Sequence, residues 1–216
     1  LLGLETSSYL EQKKRWPVEG RHILAQYDAR SIIVYQAYRP SIGRFAVDHG
    51  YFGGEFSFQR MSWIKTNFLW MMYRSAWGTK PNQEITLAVR IQRPFFDAVL
   101  AQAVPSAFDA DLYPDVASWR RDLRASRVRL QWDPDHDLIG ARVRRRAIQL
   151  GLRGQVLNEY ARDAILEIMD ISEFVAEQRM HARAGDHTKL VTPTERVYRL
   201  PDEGLVARLK LSWFTD

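Results

Sequence analysis

The sequence predicts an α+β fold: one domain with a central mixed or mostly antiparallel sheet packed by helices, including a buried, Trp-rich helix. Three observations carry this expectation. Strand-like and helix-like segments intermingle without a strict strand–helix–strand rhythm. EITLAVRIQ alternates, with Ile85, Leu87, Val89 and Ile91 on one face and Thr86, Ala88, Arg90 and Gln92 on the other, the signature of a half-buried strand. RMSWIKTNFLWMMYRSAWGTKP carries Trp63, Trp70 and Trp77 at steps of seven, which at ~100° per residue keeps the three indoles within about 40° on a helix. Ile64, Phe68, Leu69, Met71, Met72 and Ala76 cover most of the remaining circumference, and a helix apolar nearly all round is buried.

Taken in order, residues 1–20 are polar, contain Pro17 and Gly20, and read as a loose N-terminal arm. The domain proper spans 21–201 and opens on the β-branched and aromatic strand IIVYQAY, closed by Arg39-Pro40. A short helix near 41–49 and the glycine turn GYFGGEF lead to the Trp helix. That helix is expected to start near Ser62, capped by Ser57 or Ser62, and to stop at Gly78 with Pro81 beyond. After EITLAVRIQ, FFDAVLAQA and DVASWRRDLRAS read as helices, VRLQW and RRAIQLG as strands, LRGQVLNEYA as helix and AILEIMDI as strand. SEFVAEQRMHAR reads as a helix capped by Ser172. RVYRL and LVARLKL flank Pro201-Asp202-Glu203-Gly204, a hairpin signal, so 202–216 is expected to be a C-terminal strand and tail.

At 216 residues and 46% hydrophobic content the chain can bury a sizeable core. It holds no uninterrupted apolar run of ~18 residues and no signal-peptide order at the start, so a soluble cytoplasmic protein without a membrane partner is expected. Opening on Leu1, the chain is expected to be a fragment or an unprocessed reading-frame end. The absence of cysteine rules out disulfides, thiolate zinc sites and thiol catalysis.

The net charge of +5 coincides with one segment: nine arginines and four aspartates lie between residues 120 and 146. Guanidinium forks in that density suit phosphates, so Arg120, Arg121, Arg142, Arg144, Arg145 and Arg146 are candidate nucleic-acid contacts. WDPDHDL sets Asp133, Asp135 and Asp137 at alternate positions, but Leu138 and Arg144 stand where a calcium loop needs Gly and Glu, and no metal site is expected. Dinucleotide-binding, Walker, HExxH and Gly-x-Ser-x-Gly motifs are missing. Arg74 on an otherwise apolar helix needs an acid or an anionic ligand. Arg74 and Arg60 are therefore expected to border an anion-binding pocket shared with Arg39.

VYQAYRPSIG, FSFQRMSWIKTNFLWMMYRSAWGTKPNQE, LAVRIQRPFFDAVLAQA, VRLQWDPDHDL, AIQLGLRGQ, ILEIMDIS and TERVYRLP together resemble the domain-of-unknown-function family 4291 over about residues 21–201. The block RMSWIKTNFLWMMYRSAW is the most specific part. Asp163-Ala164 departs from the family pattern, which tends to carry an acid followed by Trp there. The arrangement is also similar to that of ADP-ribosyltransferases: an Arg ending the first strand, Phe56-Ser57 before the aromatic helix, and a late acid-bearing strand. This second resemblance implies NAD as cofactor, held by Tyr35, Tyr38, Arg39, Ser57, Arg60, Tyr73 and Arg74. It also implies a catalytic carboxylate among Glu84, Asp163 and Glu167, since cleaving the nicotinamide bond builds positive charge on the ribose. The alternative is a non-enzymatic module that binds nucleic acid through Arg120–Arg146.

Overall fold

The computed structural model describes residues 3–213. The first half of the chain forms β1 (Thr6–Ser8), α1 (Tyr9–Arg15), β2 (Gly20–Arg21), β3 (Leu24–Ala25), β4 (Ser31–Tyr38), α2 (Pro40–His49), β5 (Ser62–Lys65), α3 (Phe68–Ser75), β6 (Ile85–Gln92) and α4 (Arg93–Gln102). The second half adds β7 (Val104–Pro105), α5 (Val116–Ala125), β8 (Val128–His136), β9 (Arg142–Leu152), α6 (Gly154–Ala161), β10 (Ile165–Asp170), α7 (Ser172–Arg183), β11 (Val191–Pro193), β12 (Arg196–Val197) and α8 (Glu203–Arg208).

The fold is α+β around a mixed sheet of eight strands, in the order β10-β6-β4-β5-β9-β8-β7 with β2 added beside β9. β2–β9 and β7–β8 are parallel, and the remaining pairings of this sheet are antiparallel. β4 and β6 pair over their whole length, from Ser31↔Gln92 to Tyr38↔Ile85. Helices cover both faces. Ala46 of α2, Phe96 of α4, Leu157 of α6 and Leu205 of α8 pack into one core, and Tyr9 of α1, Met72 of α3 and Val175 of α7 into the other. The expectation of a half-buried β6 is corrected by this layering, because Thr86 and Ala88 on its second face are buried as well. A strand covered on both sides gains nothing from polar alternation.

The Trp-rich helix is shorter than the heptad spacing predicts. Ser62–Lys65 is a strand between β4 and β9, Phe68–Ser75 is the helix, and Ala76, Trp77 and Gly78 follow with positive φ. Trp63, Trp70 and Trp77 thus lie on three different backbone conformations and form no stripe. The cap is Asn67, whose Oδ1 accepts from the Trp70 amide at 2.7 Å, in place of Ser57 or Ser62. Likewise Ser172 is the first helical residue of α7, after an N-cap at Ile171.

Both ends differ from expectation. In the segment read as a loose arm, β1 pairs with β11, and Tyr9 and Trp16 are buried. The hairpin expected around Pro201–Gly204 is not formed. β12 pairs instead with β3, and Asp202 caps α8 by accepting from the Leu205 amide at 2.9 Å. Residues 214–216 of the expected tail lie outside the described residues.

Candidate functional site

The candidate site arises where the sheet splits. β4 and β5 share a single register pair, Tyr35↔Lys65, after which the strands diverge. The Gln36 side chain occupies the gap: its Nε2 lies 2.8 Å from Tyr38 Oη, 2.9 Å from Ser62 Oγ and 3.2 Å from the Trp63 carbonyl. Tyr160 Oη donates to Gln36 Oε1 at 2.7 Å, so the bridge is anchored from the core beneath. Side-chain hydrogen bonds thereby replace ladder bonds that the divergence removes. The opening between the strands is a groove of ≈ 640 Å³, walled by Tyr38, Arg39, Ser57, Arg60, Lys65 and Arg74.

Its walls are cationic. Glu55 is the one acid there among the described residues; its Oε2 lies 2.8 Å from the Arg39 guanidinium and accepts from Ser41 Oγ at 2.6 Å. Arg60 and Arg74 make no ion pair among the described residues. Lys65 is only 7% exposed, with its Nζ 3.3 Å from the Trp63 carbonyl and 5.2 Å from the centroid of the Trp70 ring. Burial first, and then the neighbouring Arg74 charge, lower the Lys65 pKa to about 7, against a smaller opposing pull from Asp133. The Tyr38 phenol is pushed up by burial and stays neutral in its hydrogen-bond network.

Tyr38, Arg39, Ser57, Arg60 and Arg74, five of the residues singled out for ligand binding, meet at this groove. Tyr35 does not. It is 0% exposed and packs edge-on to Phe68 in the core beneath α3, with its ring centroid 5.6 Å away. Tyr73, 43% exposed, stacks flat on His136 with ring centroids 3.5 Å apart, away from the groove.

The three acids singled out for catalysis also lie elsewhere. The Asp163 carbonyl accepts from Gln92, which pairs with Ser31 at the far end of β4, roughly 23 Å of strand from Tyr38. Glu167 pairs with Arg90 at 3.3 Å, and Arg90 is opposite Ile33, roughly 16 Å of strand from Tyr38. Glu84 is exposed, and its Oε1 accepts from the Asn82 amide in the turn before β6. Asn82 and Gln83 reach the groove wall, whereas Glu84 does not.

The basic segment divides. Arg120 and Arg121 are on α5, which packs on β7 beside the start of β8, while Arg142 pairs with His136 at the other end of that strand. Arg142, Arg144 and Arg146 alternate along β9 and are exposed. Arg145 is buried, which corrects its assignment as a nucleic-acid contact. It reaches Asp135 Oδ2 at 2.6 Å, donates to the Pro17 carbonyl and lies 5.4 Å from the centroid of the Trp16 ring. The aspartates of WDPDHDL diverge too: Asp133 accepts from Gln131 and Gln149, Asp135 binds Arg145, and Asp137 closes its own turn.

Gln36, Glu55 and Lys65 are site residues that sequence reasoning missed. A lysine inside the apolar run WIKTNFLW was the available signal for Lys65, while nothing local marks Gln36 or Glu55.

Fold and groove together define an α+β protein whose split sheet holds a cationic cleft. The chain belongs to the family described as Domain of unknown function (DUF4291), which matches residues 22–198. Every groove residue named above falls inside that span. No curated protein matches the chain.

Proposed function

We propose that the groove binds a phosphorylated ligand of nucleotide size, NAD first among them, and that the chain acts on it as an ADP-ribosyltransferase-like enzyme modifying a nucleic-acid or protein acceptor. The observation that carries the reading is the convergence of Arg39, Arg60 and Arg74 on one groove, two of them without an acidic partner among the described residues. Guanidinium groups would hold the diphosphate through charge-assisted bonds, and the groove volume falls within the range of small-molecule sites. Transfer requires a carboxylate near the ribose, where positive charge develops as nicotinamide departs. Glu55 takes that role in this reading, in place of Glu84, Asp163 and Glu167, because it is the carboxylate on the wall.

Titration calorimetry with NAD, ADP-ribose and pyrophosphate tests the binding step. Arg74→Gln is expected to weaken all three by about ten- to a hundredfold, the worth of one charged hydrogen bond. Nicotinamide release tests the chemical step, and Glu55→Gln is expected to abolish release while NAD still binds. Absence of binding by folded protein at millimolar NAD and pyrophosphate would overturn the reading. A second reading, nucleic-acid binding without catalysis, is favoured by the exposed row Arg142, Arg144 and Arg146. It predicts salt-sensitive retention of RNA or DNA that the triple Gln variant loses.

A further inference from the structure

Lys65 is the one buried lysine of the six in the sequence. Each of the others is exposed or half-buried; Lys14 is paired with Glu11 and Lys210 with Asp109 and Asp111, while Lys80 donates to the Arg74 carbonyl. Lys65 has no carboxylate within ion-pair distance among the described residues. The nearest influence of that sign, Asp133, has both oxygens taken by the Gln131 and Gln149 amides. β4 and β9 place Tyr35 and Gln149 beside Lys65, and α3 places Trp70 and Arg74 over it. These neighbours neither neutralise an ammonium group nor hydrogen-bond all of its protons. Among the described residues the Trp63 carbonyl alone accepts from Nζ, at 3.3 Å.

Resting on the reading of the groove as an anion site, we propose that Lys65 Nζ is a nucleophilic amine that forms an imine with the carbonyl of an anionic aldehyde or ketone held there. The Nζ lone pair attacks the carbonyl carbon, forming a C–N bond while the carbonyl oxygen takes up a proton. The carbinolamine then loses its hydroxyl, with a proton, as water and leaves a C=N bond. The site is built for this order of events. Burial and the Arg74 charge lower the Lys65 pKa to about 7, so a substantial share of the amine is unprotonated and nucleophilic at neutral pH, and the flanking guanidiniums draw in the anionic end of the ligand. The same features separate this lysine from the others, whose ammonium groups are solvated or paired.

The test uses the whole chain with pyridoxal 5′-phosphate, and separately with unphosphorylated pyridoxal, each followed by borohydride reduction and peptide mass mapping. Phosphorylated probe is expected to modify Lys65 ahead of the other five lysines, at least tenfold faster than pyridoxal does, and more slowly when pyrophosphate is present. The labelling rate is expected to rise with a midpoint near pH 7, where Lys65 loses its proton. Labelling confined to Lys13, Lys14 and other surface amines, with Lys65 untouched by both probes, overturns the proposal even where calorimetry shows pyrophosphate bound. Equal labelling of Lys65 by both probes, unaffected by pyrophosphate, establishes the amine as reactive and overturns the anion preference of the groove.

Discussion

Arg144 and Arg145 are neighbours in sequence and opposite in consequence. Arg144 is exposed and pairs loosely with Glu19 at 3.3 Å, so Arg144→Ala is expected to cost less than ~1 kcal/mol in denaturant unfolding. Arg145→Ala would strand the fully buried Asp135 carboxylate and is expected to cost about 3–5 kcal/mol in the same measurement. Lys65 has a different signature. Its pKa falls from 10.5 to about 7 on folding, so between those values the unfolded chain holds more protons. Stability should therefore rise with pH across that window and stay level below it. Lys65→Met is expected to flatten the profile and to raise stability at pH 7 by on the order of a few kcal/mol. A variant with the same slope as the parent would show that Lys65 keeps its proton in the fold.

The helix α3 shows how local chemistry is overridden or recruited by its surroundings. Its N-terminus is satisfied twice, by the Asn67 side chain and by Glu195, whose Oε1 accepts from the Phe68 amide at 2.6 Å. Asn67→Ala is expected to lower the unfolding free energy by about 1 kcal/mol. Burial raises the Glu195 pKa well above its ordinary 4.5, so the folded protein keeps a proton there that the unfolded chain releases as pH rises. Stability from this group is thus lost as pH rises above 4.5. Glu195→Gln keeps the acceptor and is expected to stabilise the protein at neutral pH, whereas Glu195→Ala leaves the Phe68 amide unsatisfied and should destabilise it; melting curves at pH 4 and pH 7 separate the two. α2 depends on shape instead, since a Cβ at Gly43 would approach Ile85 Cγ2 to 2.4 Å. That glycine sets how closely α2 lies on β6.

Across the whole molecule, the N-terminal segment completes the interior. Trp16 donates to the Glu195 carbonyl at 2.9 Å and stacks beside Arg145, and Gln12 donates to Thr192 Oγ1 at 2.8 Å and accepts from the Glu195 amide. Trp16→Ala is expected to cost about 3–5 kcal/mol and to lower the melting temperature, as for other buried aromatics. A surface-like cost below ~0.5 kcal/mol would mean that the segment detaches before global unfolding. Among the described residues no helix is long and apolar enough to cross a membrane. The large-scale order of strands and helices was legible because β-branched runs such as IIVYQAY and terminators such as Arg39-Pro40 act locally. The heptad of tryptophans misled because periodicity registers spacing alone. β5 owes its conformation to pairing with β4 and β9, partners about 30 and 85 residues away in the chain.

By itself the sequence determined the α+β class, the order of most elements and family membership. These follow from short-range chemistry, the periodicity and terminators that act within a few residues. Only the tertiary structure decided that β4 and β5 part after one register pair, that Lys65 is buried beside Arg74, and that Arg145 belongs to the core. The same structure carried Asp163 and Glu167 away from the groove. Burial and charge proximity are sums over residues distant in sequence, so no window along the chain contains them.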